Sequence, residues 1–191
     1  EQREDAMAVA SKPTTSKVEQ MLIQAVVKDG EKVIFRDVKD ENSGQTYNLT
    51  VAQYIAYDLG SDNLGFSNEL YTKILQEAVE HCGNEGFKAE DYFTQHADIN
   101  IASVAVRLSV DRFQLAESLQ VKETEQTLRD RVIHLVADFR LEYVSSHLKE
   151  LNERLLQVKD SQEMQEIMSE IMRTQNLRNE LAKKTGSNIL V

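Results

Sequence analysis

Apolar positions along the chain recur at helical spacing, with one interruption. After Ser16 and Glu19, an S-x-x-E pair that caps helices, come Val18, Met21, Leu22, Ala25 and Val26, and Gly30 offers a stop. The rhythm then breaks. "KVIFRDV" is β-branched and aromatic, "DENSG" is a turn signal and "QTYNL" can return, which predicts a β-hairpin over Val33–Leu49. Helical spacing resumes behind Thr50 and Gln53 with Val51, Ala52, Ile55, Ala56 and Leu59, ending near Gly60. A third helix, capped by Ser67 and stopped by Gly83, carries Leu70, Tyr71, Ile74, Leu75, Ala78 and Cys82. Tyr92 and Phe93 lie in a short fourth helix. Asp98 caps a fifth, with Ile101, Ala102, Ala105 and Leu108, and Phe113 and Leu115 close the bundle.

From Glu123 to Val158 there is neither Gly nor Pro, so a continuous helix there would be about 54 Å long. Leu128, Val132, Leu135 and Phe139 step by four, three and four; Val144, Leu148, Leu151, Leu155 and Val158 follow the same rhythm. Between the two sets the step is five, which turns the stripe by about 140°. The first half faces the bundle and the second needs another neighbour. Ser145 and Ser146, just past the switch, leave a bend there open. A last helix begins at Asp160 or Ser161, with Met164, Ile167, Met168, Ile171 and Met172 on one face, and is expected to fold back antiparallel on Leu148, Leu151 and Leu155. Leu177 and Leu181 fall on a second face, roughly 100° away. They need a different neighbour: the bundle, another copy, or a partner. The closing Ile189–Val191 packs on the long helix or frays.

Composition sharpens this picture. The 191 residues include one proline (Pro13) and seven glycines, which favours helices over a sandwich or barrel. No window is apolar enough to span a membrane, and the single Cys82 excludes an intrachain disulfide framework. Net charge is −10. Residues 1–120 hold 20 acidic and 11 basic side chains, a net of −9, and residues 121–191 hold 12 and 11, a net of −1. So acidic a body repels nucleic acid, whose binding rests on phosphate neutralisation. Catalytic motifs are missing: the four histidines are scattered, no phosphate-binding glycine loop occurs, and Cys82 beside His81 reads as a small packing residue.

Residues 17–191 nonetheless resemble a known family, the C-terminal helicase-binding domain of bacterial DNA primase of the DnaG type. The resemblance rests on "LGFSNELYTKILQE", through Leu64, Phe66, Asn68, Leu70, Tyr71, Ile74, Leu75 and Glu77. Val51, Tyr54 and Ile55, then Phe87 and Tyr92, and the ending "NLRNELAKKTG" with Leu177, Leu181 and Lys183 add to it. It implies a non-catalytic module that docks on the N-terminal domains of the hexameric DnaB-type replicative helicase and couples primer synthesis to the fork. The terminal hairpin would be the main contact, in the bacterial cytoplasm at the replisome. Zinc, magnesium and the nucleotidyl-transferase chemistry would belong to upstream domains; the chain itself is expected to hold no cofactor. The Val33–Leu49 hairpin departs from the commoner family pattern and reads as structural trim.

The expected architecture is mostly α: a leader over 1–15, a bundle over 16–121, a connecting helix over 122–146 and an antiparallel helical hairpin over 147–191. The expected partner-binding residues are Met164, Met168, Met172, Ile167, Ile171, Arg173, Leu177, Arg178, Leu181 and Lys184, with no catalytic or metal site. A hairpin-swapped dimer is compatible with so long a hinge arm. Competing readings are the N-terminal domain of a replicative helicase, which has a similar fold, a stand-alone regulatory α-module, and an enzyme with a dispersed site.

Overall fold

The computed structural model describes residues 16–39, 45–110 and 123–187, the last four of these as backbone only. Among them are seven helices and one two-stranded antiparallel sheet: α1 Lys17–Asp29, β1 Val33–Lys39, β2 Thr46–Thr50, α2 Val51–Ser61, α3 Glu69–His81, α4 Ala89–Thr94, α5 Ile99–Ser109, α6 Glu125–Gln157 and α7 Ser161–Ser187. The chain is a helical bundle with a small β insert, as its pattern predicts. The proposed leader over 1–15, the closing Phe113 and Leu115 and the tail Ile189–Val191 lie outside the described residues.

α1 is the central helix, in contact with α2, α3, α4, α5 and α6. Leu22, Ile23, Ala25, Val26 and Val27 are all fully buried, whereas Met21 is partly exposed. Periodicity predicts one apolar face for α1, with Met21 on it. Surrounded on several sides, the helix buries Ile23 and Val27 as well. Its N-terminus departs from a full capping box. Ser16 Oγ accepts from the backbone N–H groups of Val18 and Glu19, but Glu19 does not reach back. Its buried carboxylate instead accepts from Ser67 N–H and Ser67 Oγ, both at 2.8 Å, tying α1 to the turn before α3. Ser67 therefore does not cap α3; Asn68 does, accepting from Leu70 N–H. Gly30 ends α1 in right-handed backbone, and its role is space. A Cβ there would lie 3.3 Å from Ala89 Cβ and 2.3 Å from the Val26 carbonyl oxygen.

The β insert is bound into this frame. Ile34 is fully buried, Phe35 packs on Tyr54, and Arg36 holds Glu125 through two nitrogens at 3.0 and 2.8 Å. The strand ends directly in α2, whose Thr50–Gln53 capping box is complete. Asp29, nearly buried at the end of α1, takes Lys32 at 2.6 Å and Arg131 of α6 at 2.9 Å. The start of α6 is thus fixed to both the insert and α1.

α6 is one unbroken helix of 33 residues, about 50 Å long. Leu128, Val132, Leu135, Val136 and Phe139 join the bundle core. Val144, Leu148 and Leu151 are buried too, but apart from it, against α7. The five-residue step moves the stripe as the spacing predicts, with no break needed; Ser145 Oγ bonds the Leu141 carbonyl within the helix at 2.7 Å. α7 returns antiparallel, Asp160 capping it through Gln162 and Glu163 N–H.

The hairpin core is thin. Among the described residues of α7, Ile167 alone is buried. Ile167→Ala should cost about 2 kcal/mol or more of hairpin stability. Because the cost falls on a separate core, amide exchange should quicken across residues 161–183 while the bundle keeps its protection and thermal midpoint. A midpoint shift shared by both parts would contradict two separate cores.

Candidate interaction surface

α7 buries or half-buries Ile167, Ile171, Thr174, Arg178 and Leu181, spaced four, three, four, three. This is a heptad seam, and it lies against α6. The methionines stand beside it. Measured around the helix from Ile167, Met164, Met168 and Met172 fall at about 60°, 100° and 140°. Their exposure rises in step, from 37% to 52% to 67%. Spacing alone places these three on the face that closes the hairpin; in the structure they drift off it because every fourth residue overshoots a 3.6-residue turn. Leu156 of α6, 88% exposed, falls on the same flank. His147 Nε2 and Glu170 Oε1, 3.3 Å apart, mark the opposite flank, and Leu156 is half a turn around α6 from His147.

The second set goes elsewhere. Leu177 and Leu181 line a groove of about 460 Å³ with Asp62, Leu64, Arg140, Tyr143 and Val144, so the neighbour they find is the edge of the bundle. Leu177 remains half exposed, Arg173 is exposed and Arg178 lies in the seam. Lys184 is in α7, but its side chain lies outside the described residues. Of the expected contact residues, the structure groups Met164, Met168 and Met172 on one open flank, sets Ile167, Ile171, Arg178 and Leu181 along the seam, and turns Leu177 toward the bundle.

At the floor of that groove sits an ion cluster that spacing did not reveal. Arg140 occupies the phase switch of α6, with its guanidinium 3.2 Å from Asp58 and 2.5 Å from Asp62 at the end of α2. Burial pushes the Asp58 carboxyl above its ordinary value, Arg140 pulls it partly back and Asp62 adds to the rise. Asp58 and Asp62 stand one turn apart on α2, the only hint in the sequence that both could meet one cation.

A second polar chain crosses α3 and α4. Glu77 Oε2 accepts from Tyr92 Oη at 3.2 Å and lies 2.9 Å from His96 Nε2. Tyr92 Oη is also 3.3 Å from His81 Nε2, while Asp98 N–H donates to His96 Nδ1. With Nδ1 accepting, a neutral His96 carries its proton on Nε2 and donates to Glu77. Burial, with Glu77 beside it, pushes the Tyr92 hydroxyl up, keeping it protonated and donating. Two histidines that look scattered in sequence meet here through one tyrosine and one carboxylate, packed among Phe87 and Phe93. The groups satisfy one another and read as internal bracing. Cys82 caps α3, half-buried, with Sγ 3.1 Å from the Val79 carbonyl, rather than lying in the core. Among the described residues no cluster of three or more His, Cys, Asp or Glu side chains is placed to hold a metal, and no helix is long and apolar enough to cross a membrane.

Residues 5–189 match a family described as a domain of unknown function, DUF8430. The chain belongs to this family. No curated protein and no solved structure matches it. What the DUF8430 domain does rests on its own surface, and among the described residues the methionine side of α7 is an open apolar flank.

The Asp58 shift gives a pH signature. Because folding raises this carboxyl above its usual 3.8, its ionisation opposes folding. The effect sets in as pH rises through the unfolded value and is complete above the folded one. Relative to wild type, Asp58→Asn should gain stability across that window. Arg140→Gln, which removes the compensating cation, should lose stability more steeply there. Urea titrations from pH 3 to 7 read both differences; parallel curves for all three proteins would contradict the assignment.

Proposed function

We propose that this DUF8430 domain is the helicase-recruiting module of a bacterial DNA primase: it binds the N-terminal domains of a DnaB-type replicative helicase through its terminal hairpin and carries out no chemistry itself. The observation that carries this reading is the hairpin, which extends beyond the bundle core on a continuous helix and exposes Leu156, Met164, Met168 and Met172 along one flank. Unbranched, polarisable methionines suit a surface that must adapt to a partner. The second support is the resemblance in "LGFSNELYTKILQE". In the fold, Tyr71 and Ile74 of this stretch are fully buried core residues, and Asn68 caps α3. On this reading the domain works in the cytoplasm, and zinc, magnesium and polymerase chemistry belong to other parts of the protein.

Calorimetry with the N-terminal domains of a DnaB-type helicase tests the reading. The whole chain should bind. Replacing Met164, Met168 and Met172 together with Ser should weaken binding at least tenfold, with helical circular dichroism unchanged, since a few central apolar side chains carry most interface energy. Full affinity in the triple variant would move the contact off this flank. No binding by the wild-type chain would overturn the recruiting role.

A further inference from the structure

We propose that Met164, Met168 and Met172 form a site for a soft monovalent metal ion of the copper(I) class, bound through their thioether Sδ atoms.

Three of the chain's five methionines stand in one row, at every fourth position of α7. Each is turned by about 40° from the last and raised by about 6 Å. Met168 therefore neighbours both of the others. Side chains four apart on a helix have Cβ atoms about 5–6 Å apart. Two metal–sulfur bonds of about 2.3 Å each nearly cover that distance, and three rotatable bonds let a methionine swing its sulfur across the remainder. All three side chains are open to an ion arriving from solvent. The seam against α6 is built on Ile167 and Ile171 instead, so drawing the sulfurs together does not open the hairpin.

The surroundings select the kind of ion. The strip that holds these residues, from about 60° to 140° around α7, also carries Ser161, Gln175, Asn179 and Ala182, with no charged residue over six turns. Calcium and magnesium are taken by carboxylates, and zinc by thiolate, imidazole or carboxylate. The strip has none of these, and His147 and Glu170 lie on the opposite flank. Neutral thioethers are the soft donors that suit copper(I). A thioether also has no proton to lose, so such a site stays competent in mild acid, where thiol and imidazole ligands become protonated. That property separates it from Cys82, the one thiol of the chain. The assignment does not rest on the helicase reading, although an ion and a protein partner on this flank would exclude each other.

Silver(I), a redox-stable ion of the same class, is the probe, in chloride-free buffer with the whole chain carrying Cys82→Ser. The methyl resonances of Met164, Met168 and Met172 should shift together and saturate at one ion per chain, while that of Met21 in the bundle stays in place. Copper(I), added without oxygen in competition with a coloured chelator, should bind this chain equally well at about pH 5.5 and about pH 7.5. Met168→Leu removes the ligand next to both others and should weaken binding about tenfold or more. Leu at all three positions should abolish binding with circular dichroism unchanged, since the exchange nearly conserves volume. A Cys82→Ser chain that takes no silver overturns the site, as does equal binding by the triple Leu variant or an affinity that falls about tenfold in acid. Zinc shifting the same three methyl groups overturns the soft-ion assignment. Because these measurements use no helicase, they fail or succeed separately from the recruiting role.

Discussion

One helix serves two cores, and everything distinctive about the molecule follows from how it changes sides. Between Phe139 and Val144 the apolar stripe of α6 skips a residue and turns by about 140°. Up to Phe139 the helix is a wall of the bundle; from Val144 it is half of a hairpin. No kink is required, so one continuous helix links the bundle to the hairpin. Arg140 stands in the gap between the two buried sets, and Asp58 and Asp62 hold it. The ion cluster fills the seam between two hydrophobic surfaces with charge. Such a junction fixes geometry more than it adds stability, because desolvation consumes much of the Coulomb gain; the raised Asp58 carboxyl is the sign of that cost.

The two cores differ in depth, and that difference separates their roles. The bundle wraps α1 on several sides and buries Tyr71, Phe93, Leu22 and Ile23 almost completely. The hairpin has Val144, Leu148, Leu151 and Ile167 between two helices, with water on either flank. A two-helix unit cannot hide a wide apolar face, so any apolar residue beyond a narrow seam remains exposed. Met164, Met168 and Met172 are three such residues in a row, which makes their exposure an expected product of the architecture and their identity the informative part. Chains that need only solubility at such positions use Lys, Glu or Gln, as α7 does elsewhere.

Periodicity made the elements legible. The capping pairs at Thr50 and Asp98, the β insert and the five-residue step all correspond to structure, because each is encoded within a few neighbouring residues. What periodicity missed was nonlocal. Glu19 looked like a capping-box partner for Ser16, yet it serves Ser67, 48 residues away; local spacing cannot tell which of two competing donors a buried carboxylate will take. Tyr92, Glu77, His81 and His96 form one chain only because the turn over 82–88 brings α4 onto α3. On α7, a face drawn through Met164, Ile167, Met168, Ile171 and Met172 was too wide. A partner helix covers a heptad seam, and the seam chooses Ile167 and Ile171.

That choice bears on how the hairpin can act. Ile167 and Ile171 are committed to α6, so a partner that needed them would have to open the hairpin. A partner that reads the methionines need not. Leu177 and Leu181 are similarly engaged, at the groove beside Arg140, where they connect the far end of α7 to the bundle. With its seam internal and its far end anchored, α7 offers a preformed surface, and binding there pays little for ordering the chain. The flank is then limited by its area rather than by folding. Modest area on an uncharged strip favours contacts that form and release readily.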